Sequence, residues 1–425
     1  MHMRIADVSA LQIYDSRGNP TVETRITLEN GMVGDGLVPS GASTGQFEAH
    51  ELRDRADSFR GKSVFAAIKN VEGEIAEAVR GLDVSDQARL DETLLRLDGT
   101  PNKSRLGANA ILSVSMAAAN AAANAKGIPL FRSLGNGYLL PLPEIQLIGG
   151  GAHANWATDV QDYMIVANGA DSYEQALEWT FEVYHAAGDL MSEKDRRFGL
   201  ADEGGYWPAL GSNAETFDVC LQAIERAGLQ PGSDVSLSLD IAASDLFADD
   251  RYHFRSENRT FDRSEFFDLM KSWCEDYPIV SVEDPFADTD TENWRSFAAA
   301  MGDRVQLIGD DLFVTNVERI RDGIERQLAN AVLIKLNQIG TVTETIDAIR
   351  LTQQAGWRPV VSARSGETED AFIAHLAVAT NAGQLKVGSF ARSERMVKWN
   401  EVLRIGRDLG TEARFDAAII GRERR

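Results

Sequence analysis

From about residue 140 onward the chain repeats one unit: a short apolar run that closes on a polar or charged residue, followed by a helical stretch. The runs read EIQLIG, DYMIVA, VSLSLD, PIVSVED, VQLIGDD, AVLIKLN, RPVVSAR and QLKVGS. Continuous apolar runs of this length, alternating with helical stretches such as 317–328 and 344–355, are the pattern of buried parallel strands joined by crossover helices. Eight of them predict a closed α/β barrel rather than an open doubly wound sheet. Too few residues separate the first two runs for a crossover helix, so the barrel is expected to begin with an irregular hairpin.

Ahead of the barrel the pattern differs. Residues 4 to about 40 alternate in the manner of strands around the turn signals Asn19-Pro20 and Asn30-Gly31, which predicts a small antiparallel meander. Helical periodicity follows from about 62 to 126. It ends in the alanine-rich run Ala108 to Ala125, read as a buried helix halted by Gly127 and Pro129. The first domain is therefore expected to be α+β.

Charge narrows the choice of partners. Sixty-five acidic residues against 43 basic ones give a net charge of −22, which opposes nucleic acid and anionic membrane as ligands of the general surface. A small anionic substrate would need a local cationic or metal-lined pocket. No run approaches 18 apolar residues and the first ten residues lack a signal-type apolar core, so neither a membrane span nor a secretion signal is expected. Cys220 and Cys274 lie far apart without metal-ligand spacing, which points to a reducing cytoplasm rather than a disulfide framework.

In a parallel barrel the loops after the strands converge on one mouth, so reactive groups are sought at strand ends. Asp240, Glu283, Asp310, Lys335 and Lys386 are each read at one strand end. Three oxygen donors on consecutive strands suit an octahedral Mg²⁺, and the absence of a His or Cys cluster disfavours zinc. Lys335 and Lys386 begin inside apolar sequence, and with nine Lys against 34 Arg in the chain such lysines stand out. Burial and a neighbouring cation are expected to lower their pKa and make one a usable base. A metal triad facing a lysine is equipment for removing a proton next to a carboxylate.

Loops complete the picture. Val38 to Gly45 and Gly149-Gly150-Gly151-Ala152-His153 are glycine-rich segments able to close over an anion. Glu203, in Asp202-Glu203-Gly204-Gly205, is either a general acid or a turn residue. Arg364, before Ser365-Gly366, offers a bidentate grip on phosphate.

With these strings in view, the chain resembles the enolase (phosphopyruvate hydratase) family from end to end, through DSRGNPTVE at 15–23, VPSGAST, NKSRLGANA, DEGG, SVEDPF, GDDLFVTN, LIKLNQIGT, RSGETED and ARSER. The resemblance implies an N-terminal α+β capping domain, here 1–135, and an α/β barrel over 136–425 with a reversed second strand. It also implies two Mg²⁺ ions and a homodimer or higher homo-oligomer. Asp240, Glu283 and Asp310 would hold the first ion, and the Ser40 loop with substrate oxygens the second. Lys335 would be the base and Lys386 would hold the substrate carboxylate, while Arg364 and Ser365 would bind phosphate. Glu203 would act on the leaving hydroxyl, and His153 matches the family's mobile-loop histidine.

The chain departs from the family pattern in two places. Ala363 stands where the motif has histidine. In Gln161-Asp162-Tyr163-Met164-Ile165 the carboxylate at 162 is one methylene shorter than the family's glutamate, with Gln161 beside it on the substrate side. Three readings follow. The first is a Mg²⁺-dependent lyase, a specialised paralogue, converting 2-phosphoglycerate or a close phospho-carboxylate relative to phosphoenolpyruvate or its counterpart. The second is an enolase-like enzyme of phosphonate biosynthesis, such as a carboxyphosphonoenolpyruvate synthase, with room beside the phosphorus at Ala363 for a phosphono-carboxylate. The third is a catalytically weakened enolase acting as a binding protein.

Overall fold

The computed structural model describes residues 3–42, 45–55, 57–193, 195–208 and 210–420. Strands Ile5–Tyr14, Pro20–Leu28 and Val33–Leu37 form the expected antiparallel meander. The helical stretch after it is not continuous. It divides into a segment from Phe65 to Val79 interrupted at Gly73, a helix Gln87–Asp98 and the helix Ala108–Lys126. Asp86 caps the middle helix by accepting the Arg89 N–H, and Gly99 ends it in the left-handed region.

The alanine-rich helix is apolar nearly all round because it lies between two cores. Ile111, Val114 and Ala118 pack into the core of the first domain, while Leu112, Met116 and Ala123 join the barrel core. Its approach to the meander is close: a Cβ added at Gly34 would lie 2.1 Å from Ala121 N, and one at Gly36 would lie 2.1 Å from Ser113 O. Thr24 and Ser113 satisfy each other across this contact, with hydroxyls 2.7 Å apart.

The barrel is closed by eight strands: Leu142–Gly149, Asp162–Val166, Ser236–Asp240, Ile279–Glu283, Gln306–Gly309, Ala331–Ile334, Arg358–Ser362 and Gln384–Gly388. Each pairs with the next and the last pairs with the first. All are parallel except the second, which runs antiparallel to both neighbours, with Asp162 in register with Gly149 on one side and Asp240 on the other. Reversal turns its first residues toward the mouth at which the other strands end. Gln161 and Asp162 reach the site by that route. Among the described residues no helix is long and apolar enough to cross a membrane, and Cys220 and Cys274 are both buried and free.

The glycine contact yields a stability test. Gly36→Ala should destabilise the fold by about 1–3 kcal/mol through overpacking against the helix backbone. The denaturation midpoint measures it, and an unchanged midpoint would mean that helix and sheet separate without cost.

Candidate active site

The strand-end charges meet at one mouth. Asp240 and Glu283 are in register on adjacent strands. From the last strand Lys386 reaches both: its Nζ lies 2.8 Å from Asp240 Oδ2, 2.7 Å from Glu283 Oε2 and 3.5 Å from Asp162 Oδ2. Asp310, the first residue beyond its strand, accepts from Lys335 Nζ at 2.6 Å and from Gln338 Nε2 at 2.7 Å. Both oxygens of Asp284 accept backbone N–H groups, from Asp310 at 2.9 Å and Asp311 at 2.8 Å, and so fix the turn that carries Asp310.

These partners correct the expectation that the two lysines titrate low. Burial does press in that direction. Asp310 and Glu283 outweigh it at Lys335, and Asp240, Glu283 and Asp162 outweigh it at Lys386, so both ammonium groups are held above their ordinary range. The carboxylates divide by partner. Burial and Asp240 drive Glu283 well above the usual range, and burial and Asp310 push Asp311 up to about 8. Asp310 is equally buried, but Lys335 holds it low. In register with Lys386 on the adjacent first strand, the fully buried Glu144 accepts from Ser238 Oγ at 3.1 Å and is pushed up to about 7 by burial, against the pull of Lys386.

Whether these residues fit a divalent ion can be judged from their donors. Asp240, Glu283 and Asp310 offer only hard oxygens, and Glu283 Oε1 is buried without a hydrogen-bond partner. An unsatisfied carboxylate oxygen costs free energy unless something of opposite charge is bound there. The set fits Mg²⁺.

The other side of the mouth is built on the reversed strand. Asp162 Oδ1 accepts from Gln146 Nε2 and lies 3.1 Å from His153 Nδ1. His153 sits in the short turn Gly151–Ala154, where a Cβ at Gly150 would meet Thr158 Oγ1 at 1.9 Å. Burial would lower the His153 imidazole, but Asp162 raises it to about 9. Ligand atoms of His153, Asp162 and Glu203 all lie within 4.8 Å of one another, so the DEGG loop does bring its carboxyl to the site. Gln161 donates to Asp240 Oδ2 at 3.1 Å and thereby joins the two sides.

At the entrance the first domain meets the barrel. Ser40 and Gly366 exchange backbone hydrogen bonds of 2.8 and 2.9 Å, and the Ala42 N–H donates to Ser365 Oγ at 2.7 Å. The Ser40 hydroxyl donates to Glu51 and accepts from Arg53. Ser43 and Thr44 of this loop lie outside the described residues. Arg364 pairs with Glu48 at 3.1 Å and donates to Asn337 Oδ1 at 2.9 Å. The fully buried Arg395 donates to the carbonyls of Arg364, Ser365 and Val387, which supports the loop from below. Ala363 is buried at the rim of the barrel core, its N–H donating to Lys386 O. Sequence reading passed over Gln146, Glu48, Gln338 and Asp284. Gln146 carried a local signal as a polar residue interrupting the apolar run EIQLIG, and Asp284 as the residue that closes PIVSVED.

The chain matches the family models described as "Enolase, N-terminal domain" over residues 5–134 and "Enolase, C-terminal TIM barrel domain" over residues 137–423. It belongs to the enolase family. It is 51% identical over 417 residues to "Enolase 1" of Desulfitobacterium hafniense, spanning 97% of this chain and 95% of that relative. To "Enolase" of Acidothermus cellulolyticus it is 50% identical over 413 residues, spanning 97% and 96%. This enolase-family chain is accordingly an enolase-type lyase on an enolase-type barrel.

The His153–Asp162 pair makes a pH prediction. A histidine raised from 6.5 to about 9 on folding contributes stability that is fully present below pH 6.5 and lost as pH rises through 9. Melting temperature followed between pH 6 and 10 should therefore fall more steeply in the parent protein than in Asp162→Asn. Parallel curves would show that the pair is not linked to folding.

Proposed function

We propose that the chain is a Mg²⁺-dependent lyase acting on 2-phosphoglycerate or a close phospho-carboxylate relative, and that it is a specialised member of its family. The observation that carries the reading is the two-sided mouth: Lys335 with the strand-end carboxylates on one side, and Glu203, Asp162 and His153 on the other.

Asp240, Glu283 and Asp310 would hold one Mg²⁺, and Ser40 with substrate oxygens a second. The ions supply positive charge for the enolate that develops when the α-proton leaves. Lys386 binds the substrate carboxylate, and Arg364 with Ser365 binds the phosphoryl group. Lys335 takes the α-proton. To do so it must arrive neutral, so its pairing with Asp310 has to relax first. The β-carbon–oxygen bond then breaks, and the hydroxyl leaves as water with a proton from Glu203, supported by Asp162 and His153. Gln161 keeps the reversed strand aligned with Asp240.

Ala363 and the shortened Asp162 support specialisation, because both depart from the family motif near the phosphoryl group and the leaving hydroxyl. The family matches support division into a capping domain over 1–135 and a barrel over 136–425, and the family resemblance supports a homodimer or higher homo-oligomer. Two buried free cysteines suit a cytoplasmic setting.

Incubation with 2-phosphoglycerate and Mg²⁺ in deuterated water tests the proposal. The C2 proton should exchange faster than phosphoenolpyruvate accumulates, and Lys335→Ala should abolish exchange. Exchange persisting in that variant would require another base. Absence of exchange in the parent would overturn 2-phosphoglycerate as substrate, and a phosphono-carboxylate would then be the next compound to try. Calorimetric titration of Asp310→Asn should show weakened Mg²⁺ affinity, and unchanged affinity would remove Asp310 from the ligand set.

A further inference from the structure

Gln146 lies on the first barrel strand, fully buried, and touches none of the groups assigned to substrate or metal except through Asp162. Its amide spans a gap. Nε2 donates to Asp162 Oδ1, and Oε1 accepts the Gly205 N–H at 2.8 Å, two residues from Glu203. A carboxylate only accepts and a backbone N–H only donates, so a single orientation of the amide satisfies both ends. We infer that Gln146 is a positioning residue for the elimination step, tying the Asp162 carboxylate and the Glu203 loop into one unit.

The surroundings are shaped to this tether. A Cβ at Gly205 would lie 2.6 Å from Gln146 Oε1, and one at Gly149 would lie 3.2 Å from Nε2. Gly205 must stay bare for the amide to pass, whereas at Gly149 the first clash would be with Ala201 Cβ at 2.5 Å. The two oxygens of Asp162 are engaged differently: Gln146 and His153 both engage Oδ1, while Oδ2 is buried without a hydrogen bond and stands 3.5 Å from Lys386 Nζ. Saturating one oxygen leaves the other to Lys386. A carboxylate one methylene shorter than the family's glutamate needs a long partner to be held forward, and glutamine is the longer of the two amide side chains.

The inference rests on the proposed elimination, so its test has one arm that reads activity and one that does not. In the Mg²⁺-loaded full chain, Gln146→Leu should lower kcat for 2-phosphoglycerate dehydration on the order of 100-fold, the cost of misplacing a catalytic group by about 1 Å. C2 proton exchange should change far less, since Lys335 is untouched. A purely structural role would depress both steps together, and that result would overturn the inference. Gln146→Asn combined with Asp162→Glu conserves the combined length of the pair and should restore more dehydration than either single change. Failure of that rescue would likewise count against it. The second arm follows hydrogen exchange at the Gly205 amide. Asp162→Ala should speed exchange there in the parent background and have no effect in the Gln146→Leu background. Gly205 protection independent of Asp162 would overturn the tether. A parent inactive on 2-phosphoglycerate would overturn the substrate reading alone, and the amide measurement would still decide the tether between Asp162 and the Glu203 loop.

Discussion

The mouth of the barrel is organised by the crowding of negative charge around Lys386. Three carboxylates, Asp162, Asp240 and Glu283, converge on one buried ammonium. Groups of like charge in a medium that screens them poorly are tolerable only if cations sit among them. Lys386 is that cation for one cluster and Lys335 serves Asp310 beside it. An excess remains, visible in the upward shift of Glu283 and the unpartnered Glu283 Oε1, and it is what supports the proposed binding of divalent ions there.

The reversed strand makes this crowding possible. A parallel second strand would present its far end to the mouth and leave Asp162 at the bottom of the barrel. Running it backwards sets Asp162 level with Asp240, within reach of Lys386, and brings the His153 turn and the Glu203 loop to the same height. In the proposed mechanism acid and base would thus approach one substrate from different walls, each on a rigid strand or a loop pinned to one.

Much of this was legible in the chain. Eight apolar runs foretold the barrel, and the residues closing them foretold the mouth, because a parallel barrel turns position along a strand into convergence in space. Legibility failed wherever the deciding partner came from elsewhere. The lysines were expected to titrate low because their own runs are apolar, yet their charge is governed by carboxylates on other strands. Arg364 was visible as an anion grip, but its partner Glu48 lies 316 residues away. Gln146 interrupts an apolar run plainly enough, and nothing near it in the sequence says that it answers to a glycine amide 59 residues further on.

The helix Ala108–Lys126 belongs to both hydrophobic cores at once, so the capping domain and the barrel share a wall. Parts built this way cannot be exchanged like modules. Enlarging one alanine on that wall disturbs the partner across it, and neither side can drift in shape without the other following. A change in volume on this wall is therefore felt on both sides, and the helix transmits it from one core to the other.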